Sequence, residues 1–251
     1  MKQLLAAYQQ DIYQICHVYR DNELGKWHQA EFTMIEWYRK ALSLDEMISE
    51  TSQLIQALTA KGEPAPTPLK RRTYADLFQS TTGLDPLSAE TRQLAEYARA
   101  ACGISTTLSA ALGDDRSAWL DCLFSHAVAP GLRHAGLVAI THYPAAQAAL
   151  ARLDPSDPRV AERFEIYWDG LELANGFREL TDATEQRKRF AADRATRRAR
   201  HLPETAIDAN FLAALDAGLP ECCGVALGLD RLIMRTARLG SLAAAVSFGL
   251  T

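Results

Sequence analysis

Three glutamates recur at intervals of seven residues: Glu165, Glu172 and Glu179. The dipeptide Asp169-Gly170 between the first two is a two-residue hairpin signal, so the flanking strands fold back on each other. With that turn, Trp168 pairs with Leu171, Tyr167 with Glu172, and Glu165 with Ala174. Side chains alternate along a strand, which makes Glu165 and Glu172 diagonal neighbours on one face. Two carboxylates that close repel unless a cation or a basic side chain lies between them. A magnesium ion carrying nucleotide phosphates meets that demand, because it takes one or two carboxylates and keeps the rest of its shell for phosphate and water. Spacing alone equally allows a solvated sheet face on which the glutamates simply meet water.

A sheet is needed to hold these side chains, and the sequence supplies its strands. Residues 11–20 and 31–38 are rich in β-branched and aromatic residues and read as a long hairpin with a polar tip around Gly25. Ser43-Leu44-Asp45-Glu46 is a capping box, and Leu44, Met47, Ile48, Leu54, Ile55 and Leu58 follow at helical spacing. Residues 61–72 read as a Pro-rich connector. The segment 74–132 is mostly helical by pattern, broken at Asp85-Pro86 and Gly113, and reads as an insertion rather than a separate domain. Strand character returns at 137–141, 163–168 and 171–175. Helices are expected at 183–200 and 209–217, then a short strand at 224–227 and a last helix from Leu229. Strands grouped together without βαβ alternation predict an α+β fold with an antiparallel sheet flanked by helices.

At 251 residues with 48% hydrophobic content, the chain is expected to form one domain spanning 1–251. A net charge of −4 argues against a dedicated nucleic-acid binder. The first ten residues hold too short an apolar run for a signal peptide, and no stretch approaches a membrane span, so a cytoplasmic protein is expected. The five cysteines form no metal-binding spacing and no disulfide framework, and read as free thiols in or near the core. Arg187, Lys188, Arg189, Arg194, Arg197, Arg198 and Arg200 crowd one predicted helix. They form either a solvated face laced with ion pairs or a docking surface for an acidic protein or RNA.

Three ordered blocks carry a family resemblance. Leu171-Glu172-Leu173-Ala174-Asn175-Gly176-Phe177-Arg178-Glu179-Leu180 resembles the E-L-x-N-G-x-x-E-L segment of class II lysyl-tRNA synthetases. Gly224-Val225-Ala226-Leu227-Gly228-Leu229-Asp230-Arg231-Leu232 resembles their motif 3. Tyr19-Arg20 with the run His28 to Tyr38 resembles motif 2. Glu36-Trp37-Tyr38-Arg39 and the run Arg163 to Glu179 are most similar to the short synthetase paralogues that attach β-lysine to elongation factor P, the elongation factor P–(R)-β-lysine ligase family.

The resemblance implies ATP-dependent activation of β-lysine or lysine as an adenylate and its transfer to a lysine of elongation factor P, with ATP and Mg²⁺ required. Arg20 would contact the α-phosphate, Phe32 would stack on adenine, and Arg231 would bind the γ-phosphate. Asn22, Glu23, Gln29, Glu172, Leu173 and Gly228 would complete the nucleotide site, and Glu165 and Glu172 would hold the metal. Glu36, Tyr38, Asn175 and Glu179 would read the amino acid. A homodimer is a possible assembly, and tRNA is a less expected partner. Other readings are a lysyl-tRNA-synthetase-like paralogue acting on tRNA or another amine, and a non-catalytic nucleotide-binding paralogue. This sequence departs from the family in three places: Asp21-Asn22-Glu23 after Arg20, Gln29 where the family carries asparagine, and a front lacking both motif 1 and a Ser-Pro-Glu loop.

Overall fold

The alternating pattern of the first hairpin forms β1 (Ile12–Tyr19) and β2 (Glu31–Lys40), in register from Ile12–Tyr38 to Tyr19–Glu31. The structure is a computed structural model and describes residues 1–21, 25–59, 68–200 and 202–247. The remaining strands are β3 (Lys70–Thr73), β4 (Leu137–Pro144), β5 (Val160–Trp168), β6 (Leu171–Arg178) and β7 (Cys222–Gly228). They make one seven-stranded sheet in the order β1-β2-β7-β6-β5-β4-β3. The α+β class stands. The antiparallel sheet flanked by helices stands as well, with β3 added at one edge in parallel to β4. The connector read over 61–72 also ends early, because Lys70, Arg71 and Arg72 already pair in β3; its residues 61–67 lie outside the described residues.

One face of the sheet is apolar. Trp37, Ala139, Phe164, Ile166, Leu173, Ala174, Cys223, Val225 and Leu227 pack there on Met47, Ile48 and Ile55 of α2 (Leu44–Leu58). Full burial of each of these three α2 side chains is worth about 1.5–3 kcal/mol. The predicted capping box is present, with Ser43 accepting from the Glu46 amide while the Glu46 carboxylate accepts from the Ser43 amide. It fixes where α2 begins and contributes about 1 kcal/mol.

Among the described residues the opposite face is covered towards its two edges and open between them. At one of them α3 (Tyr74–Thr82), α4 (Thr91–Cys102), α5 (Thr106–Leu112) and α6 (Arg116–Leu123) follow one another as helices, as the pattern of 74–132 predicts. Tyr74, Phe78, Leu94, Trp119 and Phe124 close over Val138, Ile140 and Tyr167 of β4 and β5. At the far edge, α1 (Lys2–Tyr8) and α8 (Ala209–Gly218) pack together around Leu5, Tyr38 and Leu215. The basic helix is α7 (Ala183–Ala199), and α9 (Leu229–Thr236) springs directly from β7. The helix α1 carries no strong sequence signal and is an addition to the expected elements. Among the described residues the five cysteines are free thiols, with Cys122, Cys222 and Cys223 buried.

The turn at Asp169-Gly170 forms as expected, with both residues at positive φ. Trp168 pairs with Leu171 and Tyr167 with Glu172, but Glu165 pairs with Asn175, not with Ala174. A bulge between Ile166 and Tyr167 accounts for the one-residue correction, since two residues of β6 oppose one of β5 there. Leu173 and Ala174 are only 2% and 1% exposed, and both belong to the α2 core. The gain from burying both outweighs strict alternation. Its consequence for chemistry is direct, because the bulge returns Glu172 to the same face as Asn175.

Candidate active site

The strand that bears the least side-chain bulk lies in the centre of the open face. Gly224, Ala226 and Gly228 alternate along β7, opposite to the face that holds α2. Paired residues point the same way, so the register defines rows across the sheet. One row runs Glu165, Asn175, Ala226, Glu36, Gln14, and the next runs Arg163, Phe177, Gly224, Tyr38, Ile12. Glycine and alanine form the floor of a trough whose walls are the long side chains of β2 and β6. At Gly224 the fit is tight: an added Cβ would lie 2.5 Å from Glu179 Oε1 and 2.6 Å from Tyr38 Cε1.

At the end of the trough where β7 enters α9, a cleft is lined by Arg20, Gln29, Phe32, Glu172, Leu173, Asn175, Gly228 and Arg231. The Leu173 side chain belongs to the core beneath. The guanidinium of Arg20 stands 5.3 Å from the Phe32 ring centroid. Arg231 donates to the Glu172 carbonyl at 2.9 Å, lies 3.4 Å from its carboxylate, and donates to the Trp27 carbonyl at 3.3 Å. Asp230 accepts from the Thr33 amide at 2.6 Å, which clamps the first turn of α9 onto β2. That clamp aims a helix N-terminus and its free amides at the cleft, a ready site for negative charge. Asn22 and Glu23, the other two nucleotide residues expected from sequence, lie outside the described residues.

Glu165 and Glu172 share the open face. Burial and the charge of Glu165 push the Glu172 carboxyl above the ordinary carboxylate value, against the pull of Arg231, Arg163 and Arg20. Glu165 is 7% exposed and accepts from four donors. They are the Tyr143 hydroxyl at 2.7 Å, the Tyr167 hydroxyl at 2.6 Å, Arg163 at 2.5 Å and Asn175 Nδ2 at 3.3 Å. These fill the roughly four acceptor directions of a carboxylate. Among the described residues no group of three His, Cys, Asp or Glu is arranged to hold a metal ion. The donor set nevertheless suits magnesium, which needs only one or two protein carboxylates. Glu172 borders the cleft, and the long bond from Asn175 is the one Glu165 would release most easily.

The other end of the trough is acidic and closed. The Tyr38 hydroxyl donates to Glu36 Oε1, and Gln14 donates to Glu36 Oε2 at 3.1 Å. Glu179 is 1% exposed, and Lys2 Nζ lies 2.7 Å from its Oε2. Desolvation raises the Glu179 carboxyl to about 7, with Glu36 adding to the rise and Lys2 opposing it. The residues that sequence reasoning missed here are Gln14, Tyr143, Arg163, Asp230 and Lys2. Arg163 and Gln14 are legible in principle, since each lies beside a glutamate that spacing or family likeness marks. Lys2 is not, because α1 reaches the trough only through tertiary packing.

Comparison with known proteins agrees with this geometry. The family model of class II tRNA synthetases (D, K and N) matches residues 1–251. An elongation factor P–(R)-β-lysine ligase of Histophilus somni (strain 2336) is 46% identical over 250 residues, covering 100% of this chain and 74% of the relative. The ligase of the same name from Pasteurella multocida (strain Pm70) is 44% identical over 251 residues, covering 100% of this chain and 74% of that relative. That of Haemophilus influenzae (strain PittGG) is 47% identical over 234 residues, covering 93% and 69%. Among the described residues no helix is long and apolar enough to cross a membrane. With a trough that joins an arginine-lined end to an acidic end, and with relatives this similar along its whole length, the chain belongs to the elongation factor P–(R)-β-lysine ligase family within the class II tRNA synthetases and is an amino acid ligase of that kind.

Proposed function

We propose that this chain uses ATP to activate β-lysine or lysine as an aminoacyl-adenylate and transfers the aminoacyl group to a lysine side chain of elongation factor P. The observation that carries the reading is the continuity of one face. Phosphate-seeking groups (Arg20, Arg231 and the start of α9) and amine-seeking groups (Glu36, Tyr38, Glu179) flank the same small-residue floor. A substrate lying along that floor has its carboxylate toward Arg20 and its amines toward the glutamates.

Adenylation exchanges one phosphorus–oxygen bond for another, so positioning and charge neutralisation matter more than a dedicated base. Arg20 aligns the attacked phosphate and offsets its growing charge. The Phe32 ring, already under the Arg20 guanidinium, offers a face to adenine. Arg231 holds the terminal phosphates, and Glu172, tied to it, orients that guanidinium. Glu165 and Glu172 would hold magnesium, which supplies charge neutralisation across the phosphates when bound. Glu36 and Glu179 accept charge-assisted hydrogen bonds from the substrate amines, contacts that give both affinity and discrimination. The ε-amine of the acceptor lysine then attacks the adenylate carbonyl carbon, forming an amide and releasing AMP.

Amino-acid-dependent exchange of pyrophosphate into ATP, run with β-lysine, L-lysine and other amino acids, tests the first half. Aminoacylation of elongation factor P against lysine tRNA tests the second. Exchange that requires no lysine-type amino acid, or transfer to tRNA in place of the protein, would reject the reading.

A further inference from the structure

The acidic end of the trough already contains an ammonium. Lys2, the first residue of α1, places Nζ 2.7 Å from Glu179 Oε2, 5.3 Å from the Phe177 ring centroid and 5.5 Å from that of Phe211. One carboxylate and two aromatic faces around a single nitrogen form a cage of the kind that recognises cationic amines. The lysine is held there by its backbone. Leu5, wholly buried, locks α1 against Leu215 and Leu219, and α1 and α8 pack along each other. Glu179 is thereby divided. Oε2 meets Lys2, and Oε1 lies against the trough floor beside Gly224.

We propose that Lys2 is a positioning residue that sets amine specificity: it permanently fills the inner half of the cage, fixes the Glu179 carboxylate, and leaves Oε1 together with Glu36 for one substrate ammonium. With Glu179 ionised, two carboxylates and one internal ammonium leave a single unmatched negative charge at this end. The subsite therefore favours a chain ending in one primary ammonium and disfavours a neutral or doubly cationic end. The inference rests on the reading of Glu36 and Glu179 as the amine site.

The test uses Lys2→Met and Lys2→Arg in the intact protein, with calorimetric affinities for L-lysine, β-lysine and ATP–magnesium. At pH 7, Lys2→Met should weaken the amino acid at least tenfold and leave ATP within twofold, and Lys2→Arg should recover part of the loss. The groups facing Glu179 are Lys2 from α1, Glu36 and Tyr38 from β2 and Cys222 from β7. Burial pushes Tyr38 and Cys222 upward, so both stay neutral. The Lys2→Met defect should therefore shrink between pH 7 and pH 9 as Glu179 regains its charge, whereas a packing defect would be constant. Tighter amino-acid binding in Lys2→Met, which would make Lys2 a competitor, overturns the proposal. So does a pH-independent loss, or an equal loss of ATP affinity. Should the unsubstituted protein bind neither amino acid, the functional reading fails, and carbon-13 titration of Glu179 decides the role of Lys2. A midpoint raised in Lys2→Met sustains the positioning role, and an unchanged midpoint ends it.

Discussion

The two ends of the trough solve the same problem, holding charge on a protein surface, in opposite ways. At the phosphate end the charged groups border an open cleft. Arg20 leans on a ring and Arg231 is tied to a carboxylate and two carbonyls, so each is oriented without being sealed from water. At the amine end Glu179 is 1% exposed, and its stability there depends on one internal ammonium. On the proposed function, removing a group from the first end should cost catalysis. Removing one from the second costs folding as well, because breaking a buried pair strands a charge.

The sharpest test of that contrast is Glu179→Ala. It removes both carboxylate oxygens and leaves the largely buried Lys2 ammonium with two aromatic faces alone, and loss of one partner of a buried pair costs about 3–5 kcal/mol. Denaturant titration should show that loss, and the amino-acid KM should rise at least 100-fold while the ATP KM holds. Arg231→Ala should do the converse. Its midpoint of unfolding should scarcely move, while kcat/KM for ATP falls about 10²–10³-fold through lost stabilisation of the departing pyrophosphate. A large stability loss in Arg231→Ala, or none in Glu179→Ala, would break the comparison.

Gly224→Ala gives a smaller effect. A methyl group 2.5 Å from Glu179 Oε1 and 2.6 Å from the Tyr38 ring must displace both. Overpacking of this kind costs about 1–3 kcal/mol, and it fills the floor where the substrate amine would lie. Amino-acid affinity should fall and ATP affinity should persist in a pyrophosphate exchange assay. The same change in both affinities would mean that the trough is not divided as described.

These tests fall on residues of uneven visibility in the sequence. The hairpin at Asp169-Gly170, the capping box at Ser43 and the strand β7 are local signals, and each appears where local chemistry puts it. The bulge at Leu173 is invisible there, because it arises from competition between ladder register and burial against α2. The strand β3 is masked for a related reason. Lys70, Arg71 and Arg72 are largely exposed on an edge strand, so no apolar alternation marks them. In the site, the glutamates are legible from spacing and family likeness. Their partners Tyr143 and Lys2 are not, since each comes from an element placed only by the tertiary fold.

Acidity separates the two ends further. The Glu179 carboxyl lies at about 7 in the folded chain, above its ordinary value of 4.5. Between those values the folded protein keeps a proton that the unfolded chain releases, so stability falls as pH rises from about 4.5 to about 7 and levels off above it. Each tenfold change in proton affinity is worth about 1.4 kcal/mol, so the whole fall amounts to roughly 3 kcal/mol. Amino-acid binding should move the other way, improving through pH 7 as the carboxylate forms. Glu179→Gln should flatten both profiles across that window, and a stability slope that survives the substitution would assign it to another group.

The smallest effects belong to α7, whose arginines give the sequence its most conspicuous charge run. Arg194 and Arg198 both pair with Glu204, Arg187 pairs with Asp216, and Arg189 reaches Glu185 and the carbonyls of Ala149 and Ala151. A guanidinium engaged within its own chain has less to offer a partner than one that is free, and exposed ion pairs contribute little to stability. Arg194→Glu with Arg198→Glu should therefore leave the melting temperature almost unchanged and pyrophosphate exchange intact. Transfer to the acceptor protein is the readout that matters. A selective drop in transfer would show that the helix docks the acceptor in spite of its internal pairing with Glu204, and equal rates would confine partner recognition to the neighbourhood of the trough.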